Sequence, residues 1–173
     1  MSKHLVLRLP PSFDEPIRRA AASLGHTQYE DIQKPDTKLQ LIRYKRNDEC
    51  IGLAREYVAS LMSRIEEKLE LKLESPTARP TIYRQISGWL ALKSNEIAVI
   101  VFIPREDDRL KEANVQIQWE NYRKSLRIDK KEFITLVGPI SFQIEADVLF
   151  ELIQQPTLPL GRAATAQREE LVA

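Results

Sequence analysis

Apolar positions recur along this chain with two periods, and the switches between them outline the elements. Residues 4–9, HLVLRL, are branched and apolar and stop at Pro10 and Pro11, which reads as a strand. Ser12 or Asp14 then caps a helix near 13–24, with Pro16 in its first turn. Ile17, Ala20, Ala21 and Leu24 form its apolar face, and Gly25 closes it. Residues 26–37 are polar and broken by Pro35, a connector. KLQLIRYK (38–45) reads as a second strand. From Asn47 or Asp48 onward, Ile51, Ala54, Val58, Leu61, Met62, Ile65 and Leu69 return every three or four residues, which predicts an amphipathic helix.

The end of that helix is where the two periods compete. In EKLELKLES (67–75), Leu69, Leu71 and Leu73 alternate like a strand, whereas Leu61, Ile65, Leu69 and Leu73 continue the helix in steps of four. Good helix formers fill the stretch and no breaker precedes Ser75 and Pro76, so the helix is predicted over about 48–73. A hairpin follows: TIYRQISGWLALK and IAVIVFIP, joined through Ser94, Asn95 and Glu96. IAVIVFI is apolar at every position, which predicts a central strand covered on both faces. NVQIQWE alternates, and ISFQIE reads as another strand. Asp129 and Glu132 have capping-box spacing ahead of Gly138 and Pro139, predicting a helix near 130–137. ADVLFELIQQ predicts a last helix near 146–154. The sum is one α+β domain, residues 1–155, with an antiparallel or mixed sheet and a loose C-terminal tail over 156–173.

Composition narrows function more than fold. With 26 basic and 25 acidic residues the formal charge is +1, so electrostatic recognition has to come from local clusters. One cysteine, Cys50, permits neither an internal disulfide nor a thiolate zinc site, and points to a reducing, cytoplasmic setting. Neither His4 nor His26 has another histidine or cysteine at metal-ligand spacing. Five glycines, and no Walker or G-x-G-x-x-G sequence, leave little material for a phosphate-cradling loop. No cofactor and no metal are expected.

Glu70 and Lys72 match the Glu-x-Lys half of a nuclease metal site, but on the predicted helix they point about 200° apart. The clearer clusters are basic and aromatic: Arg43, Tyr44, Lys45 and Arg46; Tyr83 and Arg84; Tyr122, Arg123, Lys124 and Arg127. Tyrosine beside arginine on strands suits single-stranded nucleic acid, the ring stacking on a base and the guanidinium holding phosphate. The expectation is a non-enzymatic cytoplasmic accessory protein that binds a macromolecular partner, RNA foremost. The alternatives are an assembly subunit that docks on a protein, and a metal-dependent nuclease.

Overall fold

The computed structural model describes residues 2–74, 80–105 and 111–159. Its elements are β1 (His4–Arg8), α1 (Asp14–Ser23), β2 (Tyr29–Lys34), β3 (Leu39–Tyr44), α2 (Asp48–Ser60), α3 (Met62–Leu69), β4 (Leu71–Leu73), β5 (Thr81–Ser87) and β6 (Leu90–Leu92). They continue with β7 (Glu96–Phe102), β8 (Glu112–Trp119), β9 (Tyr122–Asp129), β10 (Glu132–Val137), β11 (Ile140–Ile144) and β12 (Leu149–Pro159). A major sheet has the order β1-β10-β7-β12-β5-β3-β2, with β4 added to β12, and a minor sheet the order β6-β11-β8-β9.

The layers follow from where alternate side chains go. On β7, Ile97, Val99 and Val101 meet the helices through a core with Leu53, Tyr57, Leu61 and Ile65. Ala98, Ile100 and Phe102 of the same strand point the other way, into a second core with Val115, Ile117, Phe142 and Ile144 of the minor sheet. The molecule therefore has helices, major sheet and minor sheet in that order, each interface sealed by its own apolar set. β7 is the expected central strand. β1, β3, β8 and β11 also lie where alternation placed strands, and α1 falls inside the expected 13–24.

The expected α+β domain with one long helix is not what forms: the chain is mostly antiparallel sheet. The 48–73 helix breaks at Leu61 (φ −119°, ψ −32°), a fully buried residue, into α2 and α3. Asn47 starts α2 by accepting from the backbone N–H groups of Glu49 and Cys50. Glu70 then ends α3 in the left-handed region (φ 53°), and Leu71–Leu73 pair antiparallel with Thr157–Pro159 of β12. Leu71 and Leu73 are buried while Lys72 is exposed, so the alternation at 69–73 was the governing signal. The Glu66 carboxylate fastens the new strand to the helix: it accepts from the Leu73 N–H at 3.0 Å and lies 3.6 Å from Lys72 Nζ.

Both helices expected later in the chain are strands. Asp129 and Glu132 do satisfy nearby backbone donors, Lys131 N–H and Asp129 N–H respectively, but they close the turn between β9 and β10. Carboxylates at that spacing serve a turn as well as a helix start, and the buried run Phe133–Val137 goes to the sheet interior. Residues 149–159 form the strand between β7 and β5 instead of a helix near 146–154. The expected hairpin also divides, since β6 joins the minor sheet and β7 the major. β12 carries Thr157 and Leu158 into pairing with β4; residues 160–173 of the expected tail lie outside the described residues. Among the described residues no helix is long and apolar enough to cross a membrane.

Candidate functional site at the mouth of the sandwich

At the β2–β3–β5 side of the major sheet the two sheets part and leave a mouth, a common place for ligand sites. Register fixes what faces it. Glu30 pairs with Arg43, Ile32 with Leu41 and Lys34 with Leu39, while Arg43 pairs across β3–β5 with Tyr83, so these side chains share the face toward the minor sheet. Between them and Phe142 lies a cavity of about 240 Å³, walled by Ile32, Leu41, Leu90, Phe142 and Leu152, with Lys34 and Arg43 as its cations. Tyr83 stacks on Phe150 (centroids 6.0 Å apart, planes 30°), which sets the back wall.

A second cavity of about 500 Å³ opens at the strand ends and is also lined by Arg43, together with Lys45, Arg46, Tyr29, Tyr44 and Glu30. It is as polar as the first is apolar. Tyr29 and Tyr44, paired across β2–β3, are tilted rings 6.0 Å apart, with Tyr29 64% exposed. Arg43 donates to Glu30 at 2.5 Å; that bond, the neighbouring negative charge and the Tyr83 phenol hold its guanidinium firmly protonated. Lys45 and Arg46 have no acidic partner among the described residues, and Arg46 Nε is buried with no hydrogen bond.

The clusters expected to act together are separated. Arg43, Tyr44, Lys45 and Arg46 converge on the polar cavity, and Tyr83 borders the apolar one. Arg84 points to the helix side of the same strand and pairs with Asp147 at 3.2 Å. Tyr122, Arg123, Lys124 and Arg127 sit on β9, at the end of the minor sheet that lies against β10, across the molecule from β3. There Arg123 is spent on the Trp89 ring (5.2 Å) and on Gln118, and Tyr122 stacks on Trp119 at 5.6 Å. Lys124 faces the opposite side of β9 from Arg123 and Arg127. A single Tyr/Arg platform does not form. The Glu-x-Lys pair fares no better: Glu70 is the left-handed cap and Lys72 is paired with Glu66. Sequence reading missed Ile32, Lys34, Tyr29 and Phe142. β2 looked like a connector because its one inward apolar residue is Ile32.

No family model matches the chain. No curated protein matches it either. Its likeness is to solved structures. A 2OG-Fe(II) oxygenase family oxidoreductase from Burkholderia pseudomallei superposes with TM-score 0.60 at 8% identity, over 88% of this chain and 85% of that one. A Trichoplax adhaerens prolyl hydroxylase, in complex with a hypoxia inducible factor peptide fragment, gives 0.56 at 11%, over 94% and 86%. A Pseudomonas putida prolyl-4-hydroxylase gives 0.53 at 9%, over 89% and 92%. At such identity the likeness shows the fold, the two-sheet jelly roll. The expected non-enzymatic accessory protein is corrected on its own grounds: the Tyr/Arg clusters of the RNA reading do not share a face, the long helix of the assembly reading is broken in two, and the solved structures named above that share the fold are enzymes. The nuclease alternative falls with its site.

Non-haem iron of that oxygenase type is held by two histidines and a carboxylate on one side of open coordination positions. This chain has only His4 and His26. His4 shares a face of β1 with Val6, which packs between the sheets, whereas His26 follows α1 on the helix side of the major sheet. Burial and the nearby Lys124 charge also hold the His4 pKa below its ordinary value. No three His, Cys, Asp or Glu side chains group as metal ligands among the described residues. The space between the sheets is filled by Ile100, Phe102, Ile117 and Phe142. The chain has the fold of these oxygenases without the donor set of their iron.

Proposed function

We propose that the chain acts on a small amphipathic anion held in the mouth of its jelly roll. An apolar or aromatic body would lie against Leu41, Tyr83 and Phe142, with a carboxylate or phosphate reaching Arg43, Lys45 and Arg46. The observation that carries this reading is that Arg43 lines both the apolar and the cationic cavity, so one ligand can span them.

Glu30 does not forbid it. The Arg43–Glu30 pair is open to water, with side chains 45% and 68% exposed, and such pairs contribute about 0–1 kcal/mol. A guanidinium has five donors, and Glu30 engages one of its nitrogens. An entering anion can share or displace that contact. The oxygenase likeness supports small-molecule handling by analogy of fold, and no step is assigned to iron.

Isothermal titration tests the reading with phenylpyruvate, which has an aromatic body and a carboxylate head, against the neutral phenylacetone. Phenylpyruvate should bind, phenylacetone should not, and Arg43→Ala should weaken binding about tenfold, one charge-assisted contact's worth. Equal binding by both compounds, or by wild type and R43A, sinks it. Stoichiometric uptake of Fe(II) with 2-oxoglutarate would sink it in favour of oxygenase chemistry.

A further inference from the structure

β1 is an outer strand of the major sheet, with β10 as its one strand partner among the described residues. The Leu9 N–H donates to Lys131 O and the Val137 N–H to Lys3 O, so the odd-numbered residues bond to β10. By alternation, the backbone groups of His4, Val6 and Arg8 face away from the sheet. Ser2 Oγ covers the His4 carbonyl at 2.8 Å; the described residues give Val6 and Arg8 no such cover.

Exposed edges in monomeric proteins are usually guarded by charge. β2 carries Glu30, Asp31 and Lys34, and β9 carries Arg123, Lys124, Arg127 and Asp129. β1 instead runs Leu5, Val6 and Leu7 in a row, their side chains half-buried against the two cores, with Arg8 as its one charged residue. Its C-terminal end runs into a cavity of about 670 Å³, where Arg8 and Leu9 meet Ile17 and Ala21 of α1. Arg8, Arg105 and Lys131 stand at its rim, and among the described residues none of them is paired with an acidic side chain and Asp14 is the one carboxylate of the lining.

We infer that β1 receives an extended acidic peptide as an added strand, its backbone on Val6 and Arg8, an apolar residue over Leu9 and Ile17, and its carboxylates on Arg8, Arg105 and Lys131. Strand addition takes affinity from main-chain hydrogen bonds and specificity from alternate side chains. Charge decides the occupant. A second copy of this chain, paired antiparallel about Val6, would set Arg8 against His4 and bring two basic rims together; an acidic strand meets the same rim with attraction.

Fluorescence anisotropy of a labelled octapeptide alternating valine and glutamate, against one alternating valine and lysine, tests this. The acidic peptide should bind saturably and more weakly as salt rises, and the lysine peptide should not bind. Val6→Pro removes the outward N–H, along with part of the Val6 packing between the sheets, and should cut affinity about tenfold or more at a temperature where the variant is still folded. Should V6P not fold, the double charge reversal Arg105→Glu and Lys131→Glu supplies the second arm, since it should move preference to the lysine peptide. Equal binding of the two peptides, no binding of either, or unaltered binding by V6P or by the charge reversal would overturn the inference. So would a dimer of the free chain, in analytical ultracentrifugation, that V6P dissolves, because the edge would then serve a second copy.

Discussion

Glu151 is fully buried on β12, on the face that meets α2, and among the described residues its carboxylate has only the weak thiol donor of Cys50 close enough to ease its burial. Cys50, in the first turn of α2, is the polar group beside it. Burial raises the Glu151 pKa well above the ordinary carboxyl value, and the same burial raises that of the Cys50 thiol. Below the ordinary value, Glu151 is protonated in folded and unfolded chains alike and costs nothing in charge. Above it the unfolded chain releases the proton while the folded chain keeps it, so stability falls as pH rises. Melting temperatures from pH 5 to pH 8 should show that fall in the wild type and a flatter profile in Glu151→Gln, with the variant more stable at pH 8. Parallel profiles would mean the carboxyl is already ionised in the fold. The sequence half-disclosed this pair: Cys50 falls near the start of a predicted helix that does form, but Glu151 falls in a helix expected near 146–154 that is instead β12, which turns it inward.

At the scale of elements, what was legible depended on whether one face of the element is wet. β8 alternates because its outer residues Asn114, Gln116 and Gln118 meet water while Val115 and Ile117 do not. β10 and β12 are covered on both faces, lose the alternation, and so resemble buried helices. The α3–β4 junction failed for a different reason, since its partner, Thr157–Pro159, lies more than eighty residues away and no local propensity reports it. That junction holds Glu70 at φ 53°, a conformation costing a side-chain-bearing residue roughly 1 kcal/mol. Glu70→Gly should therefore stabilise the chain by up to about 1 kcal/mol in urea unfolding, against the usual loss on introducing glycine. A loss of stability in E70G would mean the left-handed turn carries no strain.

For the whole molecule, the binding mouth depends on how the sheets are held together beside it. Gln85 of β5 is fully buried; its Oε1 accepts from the Ile144 N–H of β11 at 2.8 Å, and its Nε2 donates to Gly88 O at 2.7 Å. One side chain thus clasps the major sheet to the minor one. Gln85→Leu keeps the bulk but strands a buried N–H, so denaturant unfolding should show a loss of about 1–3 kcal/mol. Phenylpyruvate affinity should fall with it if the clasp sets the width of the mouth. The candidate site was half visible for the same architectural reason. Arg43, Lys45 and Arg46 stand together in sequence, whereas their apolar counterparts, Ile32 and Phe142, are brought to them only by closure of two sheets.

The place of β12 has a bearing on how the chain is made. It is the last described strand in chain order, yet it lies between β7 and β5 at the centre of the major sheet. Until residues 149–159 leave the ribosome, β1, β10 and β7 form one half-sheet and β5, β3 and β2 another, with no strand joining them. The inner edges of β5 and β7 stay raw from the time those strands are made until β12 follows, at roughly 5–20 residues per second. Closure awaits long-range pairings of the slow kind. The nascent chain is most open to aggregation and to chaperones just before its central strand arrives.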